Sequence, residues 1–158
     1  MAGDEVNAVV LHRVDLAGNL RILRVAPVGW TLPEFIPGQF AVLGLPGAAP
    51  RCPISDPEDT SAEPDKLIRR AYSVASSSRT VEYLEFLVVL VRSGALTPRL
   101  FHLRPGDPLW LGRKIVGMVT LDSVPENRNL LLFATGTGLA PYMSMIRTFA
   151  GRHRERRM

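Results

Sequence analysis

Arg70-Ala71-Tyr72-Ser73 places a cation, an aromatic ring and a hydroxyl within four consecutive residues. On a strand, side chains alternate between faces, so Arg70 and Tyr72 share one face and Ser73 takes the other. A guanidinium makes forked hydrogen bonds to phosphate oxygens. A tyrosine ring is a flat surface with a hydroxyl at its far edge, and a seryl Oγ with its neighbouring amides can meet a heteroaromatic edge. The set suits a ligand with a flat head and a phosphate tail, such as a flavin nucleotide. The same residues also suit an ordinary edge strand, and alone they do not choose between the two.

Two glycine-bearing turns add to the set. In Arg92-Ser93-Gly94-Ala95-Leu96-Thr97-Pro98, Gly94 permits close backbone approach, Thr97 can cap a helix and Pro98 fits a first helical turn. Free N–H groups at such a start favour a diphosphate, although an ordinary capped helix reads the same way. Thr135-Gly136-Thr137-Gly138 stands between an apolar run and a helical pattern. Strand, glycine turn and helix in that order open a nucleotide-binding α/β unit. Pro141 stands in place of the third glycine of the dinucleotide fingerprint, and the Gly-Lys-Ser/Thr of a phosphate loop is missing. Cys52 is the lone cysteine, which excludes an internal disulfide and a four-cysteine cluster. No two histidines have metal-ligand spacing, and no metal is expected.

The elements that must position these groups read as mainly β. Residues 7–14 and 20–28 are two strands joined at Ala17-Gly18-Asn19. In the second, Leu20, Ile22 and Arg24 alternate with Arg21, Leu23 and Val25, which leaves its facing open. Pro37-Gly38 is a type II turn dipeptide that launches a strand over 39–45. Strands over 71–76 and 83–91, a short helix over 99–103 and strands over 107–111 and 115–121 follow. About six strands are enough for a small closed barrel, with Trp30 covering one end of the core and Trp110 inside it. Residues 46–66 are rich in proline and acid and read as a solvated surface loop, with Cys52 an incidental thiol. Pro125-Glu126-Asn127-Arg128 reads as a linker. Beyond it, residues 129–134 read as a parallel strand buried on both faces, and 139–150 as a helix with Met143, Ile146 and Ala150 inward. The expected domains are a barrel over 1–125 and an incomplete α/β unit over 126–158, because one strand and one helix cannot bury both strand faces.

The net charge is +4, but Arg152, Arg154, Arg156 and Arg157 against Glu155 place +3 of it in the last eight residues. The remainder is near neutral, and no aromatic residues are interleaved with those arginines, so nucleic-acid binding is not expected. That tail has no structural pattern and is expected to fray. The first apolar run is short and preceded by acids, unlike a secretory signal, and no segment approaches the roughly 20 apolar residues of a membrane span. A cytoplasmic protein is the expectation.

Taken in order, these segments resemble the ferredoxin–NADP reductase family in its bacterial form. The resemblance is carried by Pro37-Gly38-Gln39-Phe40, Arg70-Ala71-Tyr72-Ser73, Gly94-Ala95-Leu96-Thr97-Pro98-Arg99-Leu100, Leu103-Arg104-Pro105-Gly106-Asp107 and Ala134-Thr135-Gly136-Thr137-Gly138-Leu139-Ala140-Pro141. It implies a six-stranded antiparallel FAD-binding barrel with a short helix, followed by the start of an NADP-binding domain. Arg70 would pair with the FAD diphosphate, Tyr72 would lie against flavin and ribitol, and Ser73 would hydrogen-bond near flavin N5, with Ala71 in the same cofactor-binding strand. Backbone groups of Leu90, Val91 and Arg92 would line the cofactor, and Gly94, Ala95, Leu96 and Thr97 would hold its diphosphate. Gly136, Thr137 and Gly138 would meet the nicotinamide nucleotide. Ser73 and Thr137 are then the expected catalytic positions, tuning N5 and placing the nicotinamide.

The implied reaction is hydride transfer between NADPH and flavin N5, then single electrons to ferredoxin or flavodoxin. The family's later strands, its contacts to the NADP 2′-phosphate and its C-terminal residue over the flavin have no counterpart, and residues 46–66 are longer than the family leads one to expect. The expectation is a chain that binds flavin and is catalytically incomplete. Three alternatives stay open: the flavin subunit of a multi-component reductase, a non-redox barrel that binds a phosphorylated ligand, or the product of an interrupted reading frame.

Overall fold

The computed structural model describes residues 5–150 apart from 59, 61, 126 and 127; the basic tail and Glu126-Asn127 of the expected linker lie outside the described residues. Among the described residues six strands form: β1 (Ala8–Ala17), β2 (Leu20–Pro27), β3 (Phe40–Pro46), β4 (Leu67–Ser73), β5 (Leu84–Val89) and β6 (Pro108–Leu111). Two α-helices accompany them, α1 (Thr97–His102) and α2 (Leu139–Phe149). Branched and aromatic side chains dominate β2, β3 and β5, as pleated half-buried surfaces favour. The β1–β2 hairpin turns at Gly18-Asn19, with Ala17 facing Leu20. The strands run in the order β4-β3-β6-β1-β2-β5, every pair antiparallel.

The sheet is not closed into a barrel, contrary to the sequence-based expectation. Strands β4 and β5 are its two edges, and they meet through one isolated bridge, Val74 with Phe86, where the Ala75 N–H donates to the Glu85 carbonyl at 2.7 Å. Closure needs a continuous ladder, and these short, twisted strands bring their edges together at one end only. Two further expected strands are absent. Residues 115–121 contribute a single bridge, Phe40 with Val116, before the chain turns away at Gly117. Residues 129–134 form no strand: Leu131 and Phe133 are 80% and 82% exposed, and no neighbouring strand lies beside them among the described residues to accept their backbone hydrogen bonds.

The core lies inside the curve of the sheet, built on Leu23, Leu43, Leu84, Phe86, Leu109 and Leu111, with Leu100 and Phe101 of α1 covering one end. This settles the facing of β2: Arg21, Leu23 and Val25 point inward, and buried Arg21 donates to the carbonyl of Phe101 at 2.7 Å. Trp30 packs on the core as expected, its Nε1 donating to the Asn7 carbonyl at 2.8 Å. Trp110 does not join the core; it is half-buried with the Arg69 guanidinium 4.5 Å from its ring centre.

Residues 46–66 are a strap rather than a detached loop. Cys52 is buried in the main core, and its N–H donates to the Pro98 carbonyl at 2.9 Å, which corrects its reading as an incidental thiol. Helix α2 packs on the opposite side of β2 and β5 through Ala140 against Ala75 and Leu87, with Leu20, Ile22 and Met143 at the margin. Its buried face is Ala140, Pro141, Ser144, Met145 and Thr148; Ile146 and Ala150 are exposed, so the expected stripe is offset. Gly38 ties this side to the sheet: its φ is +103°, and a Cβ there would fall 1.7 Å from the Val119 carbonyl oxygen.

Candidate functional site

Arg70-Ala71-Tyr72-Ser73 closes β4, paired residue by residue with Leu43, Val42, Ala41 and Phe40 of β3. Its other edge is open. The bridge at Val74 and Phe86 sets the antiparallel register of the unpaired edges. Carried back two and four residues, it faces Tyr72 toward Val88 and Arg70 toward Leu90. The seam between β4 and β5 therefore has the Arg70–Ser73 segment on one lip and the chain leading through Leu90, Val91 and Arg92 on the other.

The two side chains on the β4 lip differ in character. Arg70 is exposed, bonds the neighbouring Arg69 carbonyl at 2.7 Å and has no carboxylate partner among the described residues. Tyr72 is half-buried, with its ring edge-on to Phe86 at 6.4 Å between centroids. Part of its ring therefore serves the core, a role the sequence did not disclose. Burial pushes the Tyr72 phenol up to about 12, with the Arg70 guanidinium pulling the other way. The phenol stays protonated at physiological pH and is a hydrogen-bond donor. Ser73 is half-buried at the Phe40 end of the strand.

On the other lip, the turn between β5 and α1 is held from within. Gly94 N–H donates to the Val91 carbonyl at 2.9 Å. Thr97 Oγ accepts from the Val91 N–H at 3.0 Å and donates to the Val91 carbonyl at 3.1 Å. This corrects the capping expectation: the N-cap is Leu96, without a side-chain cap, and Thr97 closes the turn instead. A Cβ on Gly94 would come to 3.0 Å from the Val91 carbonyl oxygen and 3.2 Å from Thr97 Oγ, so a larger residue would crowd this turn. Leu96 is buried, while Val91 and Arg92 are exposed, Arg92 pairing with Asp56 at 3.0 Å.

The third group stands apart in character. Gly136, Thr137 and Gly138 form a 3-10 turn, all exposed, that leads into α2 beside β5. Gly136 has φ +54°. The docking of α2 relies on Glu85, a buried acid on β5 that takes hydrogen bonds from Arg24 and Arg147; Arg147 also donates to the Ala75 carbonyl at 2.9 Å. Burial pushes the Glu85 carboxyl up, but the two guanidiniums outweigh it and hold it below the usual carboxylate range. Sequence alone gives neither this acid nor Glu58 of the strap a role: Glu58 lies in an acidic stretch that reads as solvated, and Glu85 lies within an apolar strand. A surface groove of about 550 Å³ between Val6, Val28, Val42, Trp110, Arg113 and Lys114 contains none of the expected cofactor-binding or catalytic residues.

This arrangement of the antiparallel sheet, α1 and α2 is shared with a solved structure. The structure of a Neisseria gonorrhoeae ferredoxin NADP+ reductase with bound FAD and NADP matches over 94% of this chain and 52% of that one, with a TM-score of 0.72 and 24% identity. By sequence the chain belongs to the ferredoxin–NADP reductase family. It is 40% identical over 114 residues to the ferredoxin–NADP reductase of Azotobacter vinelandii, covering 72% of this chain and 37% of that protein. To the flavodoxin/ferredoxin–NADP reductase of Rhodobacter capsulatus it is 33% identical over 138 residues, or 87% of this chain and 43% of that one. The chain thus spans less than half the length of these relatives. No family model matches.

Proposed function

We propose that this chain is the FAD-binding part of a ferredoxin/flavodoxin–NADP(+) oxidoreductase, with residues 1–125 as the FAD-binding unit and 126–158 as the start of the NADP-binding domain. The observation that carries the reading is the open β4–β5 seam, with the Arg70 guanidinium uncommitted to any described carboxylate on one lip and a glycine turn on the other. These residues fit the cofactor's chemistry: a fork of N–H donors for a phosphate and a tyrosine whose ring and donor hydroxyl suit a flat head with a sugar-like linker. Arg70 and the backbone of Gly94, Ala95, Leu96 and Thr97 would hold the diphosphate. Tyr72, with Ala71 beside it, and the backbone of Leu90, Val91 and Arg92 would line the flavin and ribitol.

The flavin supplies the redox chemistry, accepting hydride and passing single electrons. Ser73, the expected catalytic hydroxyl, would offer a hydrogen bond near flavin N5, and Thr137, between Gly136 and Gly138, would help place the nicotinamide of NADP(H). The nicotinamide side is the less formed of the two, with the 3-10 turn exposed and residues 129–134 not paired into a sheet. Flavin binding is therefore expected to be stronger than NADPH turnover. Ferredoxin or flavodoxin is the proposed electron partner and the cytoplasm the proposed location; no helix among the described residues is long and apolar enough to cross a membrane.

Purified protein reconstituted with FAD should be yellow. Arg70→Ala should weaken FAD about 10- to 100-fold, as loss of a charge-assisted phosphate contact implies. A colourless protein that takes up no FAD, or an Arg70→Ala variant that binds it unchanged, would overturn the assignment.

A further inference from the structure

The strap of residues 46–66 and the turn before α1 are joined by two guanidiniums and one carboxylate. Arg51 donates to the Gly94 carbonyl at 2.9 Å, the Asp56 carbonyl at 2.8 Å, the Arg92 carbonyl at 3.1 Å and Glu58 Oε1 at 3.0 Å. Arg99, 3% exposed, donates to the Ala95 carbonyl at 2.6 Å, the Gly47 carbonyl at 2.6 Å and both oxygens of Glu58 at 2.7 and 3.0 Å. Glu58 neutralises and orients both arginines. The strap's backbone adds a second set of ties, Cys52 to Pro98 at 2.9 Å and Asp56 to Arg92 at 3.1 Å.

The consequence is geometric. In a trans peptide the C=O and the following N–H point in opposite directions, and no cis peptide occurs among the described residues. With the Gly94 carbonyl turned onto Arg51, the Ala95 N–H is turned away from the strap. With the Ala95 carbonyl turned onto Arg99, the Leu96 N–H is turned away likewise. Neither amide donates to a protein acceptor among the described residues. A cation on each carbonyl also polarises its peptide group and strengthens the N–H at the other end as a donor.

We infer that Arg51 and Glu58, both from the strap, are positioning residues that hold the Ala95 and Leu96 amides toward the cofactor diphosphate. The inference rests on the flavin reading above and extends it to residues that do not themselves meet the ligand. Arg51 acts through Gly94 directly. Glu58 acts through Arg51 and Arg99. The strap thereby sets the aim of the turn in advance, so that less ordering remains to be done on binding.

The test compares ligands with and without phosphates on the full 158-residue chain. In Arg51→Met, FAD affinity should fall about 10-fold while riboflavin affinity stays unchanged, since riboflavin lacks the diphosphate. Arg51→Lys keeps the charge but lacks the wide planar fork of donors that spans these carbonyls, and should show the same selective loss to a smaller degree; it also serves where Arg51→Met does not fold. Equal weakening of both ligands would reduce Arg51 to a structural residue and overturn the inference, as would unchanged FAD affinity. An amide spectrum titrated with inorganic pyrophosphate gives an answer independent of flavin. The Ala95 and Leu96 resonances should shift in the unmodified chain and need several-fold more pyrophosphate to do so in the Arg51 variants, and the absence of that difference would count against the inference. If the unmodified chain binds no FAD, the flavin assignment falls, and the pyrophosphate titration decides this one separately.

Discussion

Glu58 and Glu85 each hold two arginines, yet the burial is reversed between them. At Glu85 the acid is the buried partner, its side chain 3% exposed, while Arg24 and Arg147 are each 41% exposed. At Glu58 the acid is 18% exposed and Arg99 is the buried partner at 3%. Which end of an ion pair is out of water decides which deletion is costly, because the member left behind either turns to solvent or stays desolvated and unpaired. The two clusters also do different work. The Glu85 cluster docks α2 against the sheet; the Glu58 cluster fixes a strap to a turn.

The largest effect that would break this comparison is on stability. Glu58→Ala strands the Arg99 guanidinium, whose Nε already lacks a partner, and should cost about 3–5 kcal/mol in chemical denaturation. Glu85→Gln releases two arginines that can reach water and should cost only about 1–2 kcal/mol. If the order of the two losses came out reversed, the burial argument would fail.

Acid sharpens the same contrast. Hydrogen bonds from Arg99 hold the Glu58 carboxyl below its ordinary 4.5 against the opposing effect of burial, with the charges of Arg99 and Arg51 assisting. Glu85 is also held below 4.5, burial there being outweighed by Arg147 and Arg24. A folded-state value below the unfolded one gives stability that is fully present above the unfolded value and lost as pH falls through the folded one. The melting temperature should therefore fall as pH drops below the ordinary carboxylate value of 4.5, and the fall should be shallower in Glu85→Gln, which has one fewer such group. The same slope in both proteins would deny Glu85 a share. The smallest effect is the control: Lys66, paired with Glu63 at 3.2 Å with both side chains mostly exposed, should lose no more than about 0.5 kcal/mol on conversion to Ala.

Local signals carried most of the strands. The Pro37-Gly38 turn, the Gly18 hairpin and the branched runs of β2, β3 and β5 follow from residue type alone; Arg70–Ser73 does lie on a strand, but one that runs over Leu67–Ser73 rather than the expected 71–76. The failures share a cause. Residues 129–134 have the composition of a buried strand, but a strand exists only with a ladder partner, which composition cannot supply. The strap reads as solvated because its prolines and acids are those of a loop; that Glu58 meets Arg99 across 41 residues of chain leaves no periodic trace. Trp110 is expected inside the core, whereas it stays half outside with the Arg69 guanidinium over its ring. Barrel closure failed similarly, since strand count does not fix shear.

With a single bridge between its edge strands, the sheet is like a cask short of one stave. A flat molecule wedged along that gap would do mechanically what the missing ladder does in a closed barrel, so the empty and loaded proteins should differ in how easily the edges part. At a hundredfold excess over its dissociation constant, such a ligand adds about 2.7 kcal/mol to the unfolding free energy. Proteases that cut the parted form should then be slowed in proportion to the dose.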